Sequence, residues 1–330
     1  MRVLVTGGCG FIGSNFIKFL FHAYSDENDF NDPVLDLFPR KSQNSDLSIM
    51  NVDLLTYAGS EDNISELEDV GGYSFRKADI RDMQIMSEIF DDYCPEVVVH
   101  FAAESHVDRS IFSGNVFVET NVLGTQVLLE CSRKNGVKKF IHVSTDEVYG
   151  STDEGSFSEN DMLNPSSPYA ASKASSDLVA LSHFITYETP VIITRCTNNY
   201  GPNQHTEKLL PKTIYFAASE ESIPVFGSGK NVRDWLFVYD HCAAILKVLE
   251  VGNIGEVYNI AAQDERTNIE VISSIFSSMK VTEKFHFVED RLGHDWRYSL
   301  DDSKIRNLGW SPIVDFDLGI KHTISHYRRE

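Results

Sequence analysis

Short apolar runs and stretches with apolar residues at helical spacing take turns along the first two thirds of the chain. Runs at residues 3–5, 47–52, 97–101, 140–143 and 191–194 predict strands, and helical spacing over 12–21, 83–93, 116–135 and 170–184 predicts helices between them. Strands that are apolar along their length are covered on both faces, which calls for a parallel sheet flanked by helices. The expected class is therefore α/β, a doubly wound parallel sheet. After about residue 200 the pattern breaks into mixed loops and short elements, with one more buried strand and helix around 235–251.

A chain of 330 residues exceeds the size at which one core usually stops growing, so two domains are expected. The change of pattern divides it into residues 1–200 with a return segment at about 235–262, and a smaller α/β domain from 201–234 and 263–330. Residues 25–45, polar and carrying Pro33 and Pro39, stand where a short helix-to-strand loop would serve and predict a surface insertion.

The formal net charge of −20 leaves no basic face with which to displace counterions, which argues against nucleic acid as a partner. It does not exclude a small anion, which a few local cations and a helix N-terminus can hold. No apolar stretch approaches the roughly 20 residues of a membrane span. The five cysteines, Cys9, Cys94, Cys131, Cys196 and Cys242, show neither metal-ligand nor redox-pair spacing. Free thiols in a reducing compartment, no bound metal and a cytoplasmic location are expected.

Chemistry enters at the first strand–helix junction, in Thr6-Gly7-Gly8-Cys9-Gly10-Phe11-Ile12-Gly13. Gly7, Gly10 and Gly13 permit a tight turn and a close approach of backbone N–H groups to a pyrophosphate, which the helix N-terminus then favours. A Rossmann-like dinucleotide site follows. Asp53, at the end of the second strand, suits the adenosine ribose hydroxyls and repels a 2′-phosphate, so NAD is expected over NADP. It lies 40 residues past Gly13 rather than the usual ~20, and the polar insertion accounts for the excess. Asp79, after a further strand candidate, is placed to contact the adenine or to be a solvated loop carboxylate.

Three more patterns converge. Tyr169 and Lys173 form Y-x-x-x-K on a helix, so both side chains share a face, and a nearby ammonium favours a phenolate base. In Val143-Ser144-Thr145-Asp146-Glu147-Val148-Tyr149-Gly150 two carboxylates follow a strand at the carboxyl edge of the sheet, where doubly wound proteins bind ligands. They form either a solvated turn or an acid–base pair whose environments split their pKa values. In His100-Phe101-Ala102-Ala103-Glu104-Ser105-His106-Val107-Asp108-Arg109 small residues after a buried strand let a cofactor approach, and a polar cluster follows.

Taken together, TGGCGFIG, HFAAESHVDRS, STDEVYG, YAASK, RCTNNYGP and VRDWLFVYDH resemble the extended short-chain dehydrogenase/reductases, and within them the dTDP-glucose 4,6-dehydratases, along nearly the whole chain. The resemblance implies that Tyr169 takes the C4 hydroxyl proton, Lys173 lowers its pKa and holds the nicotinamide ribose, and Thr145 hydrogen-bonds the C4 oxygen. It makes Asp146 the acid at the departing C6 hydroxyl and Glu147 the base at C5. Phe11, Ile12, Thr56, Ile80, Phe101, Ala102, Ala103, Thr120 and Ser144 fall with the glycines and the two aspartates at NAD positions. Ser105, Asn199, Lys208, Leu209, Phe226, Arg233, Asn268, Arg291, His294 and Tyr298 fall at positions for a nucleotide-diphosphate hexose, held by the second domain.

The implied activity is loss of water from dTDP- or UDP-glucose in a homodimer. A nucleotide-sugar 4-epimerase or a uronate decarboxylase would share Tyr169 and Lys173 but has no use for an acid at C6, and a non-catalytic NAD-binding scaffold would not need the carboxylates. Phe226 departs from the tyrosine usual in the bacterial enzymes, and a phenyl ring can stack on a pyrimidine but cannot hydrogen-bond it.

Overall fold

The computed structural model describes residues 1–25, 30–41, 47–290 and 293–328. The buried apolar runs become β1 (Arg2–Thr6), β2 (Ser48–Asp53), β3 (Tyr73–Lys77), β4 (Val97–His100), β5 (Lys139–Thr145) and β6 (Val191–Cys196). The helices between them are α1 (Phe11–Tyr24), α2 (Met83–Tyr93), α3 (Val107–Phe112), α4 (Asn115–Phe117), α5 (Gly124–Lys134) and α6 (Pro168–Tyr187). Beyond β6 come β7 (Asn198–Tyr200), α7 (Leu209–Ala218), β8 (Ile223–Phe226), β9 (Val232–Phe237), α8 (Val238–Val251), β10 (Val257–Ile260), β11 (Glu265–Thr267), α9 (Asn268–Met279), β12 (Phe285–Val288), α10 (Ser303–Arg306) and α11 (Phe316–Tyr327).

Seven strands form one sheet in the order β10-β6-β5-β4-β1-β2-β3, every pairing parallel. The Rossmann-like α/β class expected from the apolar runs is thus observed. The order reverses between β1 and β4, so their carboxyl ends open a crevice, the place where such sheets bind ligands. Two small sheets lie beyond it. One has β9 between β11 and β7, and the other pairs β8 with β12. The strand expected near 235 therefore joins the small sheet, and the chain re-enters the large one only at β10.

Two expectations need correction. The helix read over 116–135 is not uniform, because Val118–Leu123 is π-helical between α4 and α5. The wider turn lets Asn121 face Glu104, whose backbone N–H donates to the Asn121 side chain at 2.8 Å. The polar stretch 25–45 is not a loose surface excursion where it is described. Val34, Leu35 and Phe38 are buried, and the Asp32 carboxylate accepts from Tyr239 Oη (2.6 Å) and from the Val34 and Leu35 N–H groups. It also lies 2.9 Å from His322 Nε2 in α11. Residues 26–29 and 42–46 of that stretch lie outside the described residues.

The glycine loop is tight. A Cβ on Gly13 would stand 2.2 Å from the Gly7 carbonyl oxygen and 2.8 Å from Gly8 Cα, both backbone atoms that cannot swing aside. Gly13→Ala is therefore expected to cost about 1–3 kcal/mol by overpacking. A lower denaturant midpoint at unchanged m-value would report it.

Candidate active site

The crevice holds a cavity of about 400 Å³, walled by the β1–α1 loop, the ends of β2, β4, β5 and β6, and the face of α6. Gly7, Gly10, Phe11, Ile12, Gly13, Asp53, Thr56, Asp79, Ile80, Phe101, Ala102, Ala103, Thr120 and Ser144 all line it. Gly7 sits at φ +73°, and a Cβ there would meet Ala102 N at 2.6 Å, so glycine is required for the loop to pass over the end of β4. At Gly10 a Cβ would meet only the Gly7 carbonyl, at 3.3 Å, and would otherwise stand in the cradle itself. Among the described residues no side chain caps the N-terminus of α1. An uncapped helix start beside open glycine backbone fits a pyrophosphate.

Asp53 ties this loop to β2. Its carboxylate accepts from Cys9 N (3.0 Å) and Leu55 N (2.8 Å), and burial pushes its pKa up. Each carboxylate oxygen keeps a further lone pair for a ribose hydroxyl. Asp79 is gripped by Arg81, whose Nη2 donates at 2.7 Å. These contacts suit the adenosine end of a dinucleotide, and the residues present fit NAD.

At the other end the cavity is floored by Thr145, Asp146, Glu147, Tyr169 and Lys173. Ser167 caps α6 and Pro168 occupies its first turn, so the helix begins just before Tyr169 and carries Lys173 one turn on. Lys173 is buried and its Nζ donates to the Val143 carbonyl at 2.8 Å. Burial lowers its pKa to about 8. Tyr169 is buried beside Phe117, and burial, with the negative charge of Glu147 next, holds its hydroxyl well above the ordinary value of 10. This runs opposite to the lowering expected from Lys173.

Asp146 and Glu147 open a 3-10 turn at the end of β5. Thr145 Oγ1 donates to Asp146 Oδ1 (3.1 Å) and accepts from Glu147 N (3.3 Å). Asp146 is buried, and its other carboxyl oxygen has no hydrogen-bond partner among the described residues. Burial, reinforced by the Glu147 charge, raises its pKa well above the carboxylate range. Asp146 is therefore buried rather than part of a solvated turn, and its surroundings favour the protonated form.

A second cavity of about 340 Å³ adjoins the first, with Glu147, Asn199 and Lys208 among the walls they share. Leu209, Phe226, Arg233, Asn268, His294 and Tyr298 line it, whereas Ser105 lines the first; Arg291 lies outside the described residues. Arg233 is buried against Tyr298, with its guanidinium carbon 4.3 Å from the ring centre. It donates to the carbonyls of Val232 (2.6 Å), Asp295 (2.8 Å) and Trp296 (3.2 Å), so part of its donor set is spent on the chain. The sequence reading missed Cys196, Gln204 and His205, which also line the first cavity. Cys196 ends β6, and position at a strand's carboxyl end was the available signal.

A dinucleotide cradle that opens onto a Tyr–Lys pair defines the extended short-chain dehydrogenase/reductases, and the chain is of that class. It belongs to the GDP-mannose 4,6 dehydratase family, whose model matches residues 4–323. It is 45% identical to the low-salt glycan biosynthesis protein Agl12 of Haloferax volcanii, over 99% of this chain and 98% of that one. It is 41% identical to the dTDP-glucose 4,6-dehydratase of Haemophilus influenzae, over 99% and 98%. Its backbone superposes on DesIV, the dTDP-glucose 4,6-dehydratase of Streptomyces venezuelae solved with NAD and dTDP bound, with a TM-score of 0.91 and 45% identity. That match covers 100% of this chain and 97% of DesIV.

Proposed function

We propose that the chain is an NAD-dependent hydro-lyase that converts a nucleotide-linked glucose to its 4-keto-6-deoxy form. The observation that carries this reading is the pair Asp146 and Glu147, set side by side on the floor that Tyr169 and Lys173 share. Bound NAD would supply hydride acceptance at C4 and hydride return at C6. In this reading Tyr169 takes the C4 hydroxyl proton and Thr145 orients that oxygen. A ketone at C4 acidifies the C5 proton, which Glu147 removes. Asp146, whose proton is favoured by burial and by its neighbour's charge, donates to the leaving C6 hydroxyl, and a proton delivered to C5 alongside the hydride at C6 completes the product. A 4-epimerase needs neither of the last two groups.

Gly7, Gly10, Phe11, Ile12, Gly13, Asp53, Thr56, Asp79, Ile80, Phe101, Ala102, Ala103, Thr120 and Ser144 would hold NAD. The second cavity would take the nucleoside diphosphate, with Arg233 and Lys208 toward the phosphates and Phe226 against the base. We divide the chain into residues 1–200 with the return near 235–262, and a substrate domain from 201–234 and 263–330. Apolar side chains exposed on α3 to α6, among them Phe112, Leu123, Leu178 and Ile185, support a homodimer. Among the described residues no helix is long and apolar enough to cross a membrane. We place the enzyme in the cytoplasm, which suits its free thiols.

Incubation with dTDP-glucose and with UDP-glucose is expected to yield a product lighter by one water, detected by mass spectrometry. Return of both sugar nucleotides unchanged by NAD-loaded protein would refute the dehydratase assignment.

A further inference from the structure

Beneath the Tyr169–Lys173 pair lies a buried charged cluster to which the reaction above assigns no task. Asp177 follows Lys173 by one turn of α6 and is fully buried. Its Oδ2 accepts from Arg195 Nε in β6 at 2.8 Å, and its Oδ1 lies 3.3 Å from His142 Nε2 in β5. Arg195 Nη1 in turn donates to Tyr149 Oη at 2.7 Å. His142 precedes Val143, whose carbonyl accepts the Lys173 ammonium. The cluster thus grips both the helix that carries Lys173 and the strand that seats it.

The charge count gives the cluster a purpose. Lys173 and Arg195 are two buried cations, and Asp177 is the ionised carboxylate packed between their elements. A buried ammonium with no compensating charge sheds its proton. Neutral Lys173 could neither support a Tyr169 phenolate nor bind a ribose as a cation. The other titratable groups facing Lys173 do not replace Asp177. His100 and His142 are driven toward the neutral form by burial, Cys196 is pushed up to about 12 and so remains a thiol, and burial with the Glu147 charge pushes Asp146 toward its neutral form. In the chain without cofactor Tyr169 is likewise a neutral phenol, so it brings no negative charge of its own to Lys173.

We propose that Asp177, braced by Arg195 and His142, is a positioning residue that keeps Lys173 charged and seated against β5 during catalysis. It lines neither cavity and acts only through Lys173. The inference rests on the dehydratase reading of the same site. Removing the carboxylate lowers the pH at which Lys173 loses its proton, so the alkaline limb of turnover moves to lower pH.

The test is the pH profile of kcat for NAD-loaded wild type, Asp177→Asn and Asp177→Glu. For Asp177→Asn the alkaline limb is expected to fall by about one pH unit, from near pH 8. That corresponds to about five-fold lower kcat at pH 8 and about two-fold at pH 7. Asp177→Glu, which restores the charge, should recover the wild-type limb. If Asp177→Asn fails to fold, Asp177→Asn with Arg195→Gln removes both charges and, because loss of the Arg195 cation works the other way, should show a smaller shift in the same direction. A wild-type limb in whichever variant folds would overturn the proposal. The dehydratase reading fails separately, if wild type itself releases no water.

Discussion

Glu147→Gln is expected to lower dehydration by about 100- to 10,000-fold while the protein folds and binds nucleotide sugar as before. Glu147 lines both cavities, at the point where a hexose would bridge them. Its backbone N–H is already satisfied by Thr145, so the amide substitution leaves the 3-10 turn intact. A carboxamide has nearly the same shape and cannot accept the C5 proton. The loss therefore belongs to the elimination alone. Two readouts separate it from a general defect: water loss by mass spectrometry, and deuterium entering C5 from heavy water. Both should collapse together while calorimetric affinity for the sugar nucleotide is retained. Unchanged turnover would remove Glu147 from the role of base. A secondary effect follows in sign. The Glu147 charge adds to burial in raising both Asp146 and Tyr169. Without it the Asp146 proton is lost at lower pH, so the residual activity should decline earlier as pH rises.

Tyr169→Phe is expected to be as damaging, about 100- to 10,000-fold in turnover, but at an earlier step. The phenyl ring fills the same buried space beside Phe117, whose ring centre is 6.3 Å away, so packing survives. Loss of the hydroxyl costs about 0.5–1.5 kcal/mol for one hydrogen bond. With no group to take the C4 hydroxyl proton, neither oxidation nor elimination begins. Heavy-water exchange at C5 should therefore vanish along with product. The contrast with a Thr145→Val variant is informative, because that change removes only the orienting hydroxyl and should leave a measurable fraction of turnover. Full activity in Tyr169→Phe would mean that the proton leaves by another route.

Much of this site was legible because its signals are local. A Cβ on Gly7 would stand 2.6 Å from Ala102 N, just past β4, so the loop demands glycine there, and that demand is written at one position. Tyr169 and Lys173 share a face through helical spacing alone, and Asp146 and Glu147 are chain neighbours. The parallel sheet likewise follows from apolar runs whose lengths and spacing need no knowledge of their partners.

What the tertiary structure decided depends on residues far apart. Nothing near Asp32 announces that it meets His322, 290 positions away, and so the polar stretch read as a surface insertion proved anchored. β9 reads as a buried strand either way; only the competition among strand edges assigns it to the small sheet between β11 and β7. The split between the two carboxylates is also invisible in the chain, since Asp146 differs from Glu147 by burial. The brace formed by Asp177, Arg195 and His142 joins one helix to two strands. Composition and periodicity report how each residue prefers to sit. Which charges face one another in the interior is set by packing, where a low dielectric makes every such pairing costly or valuable.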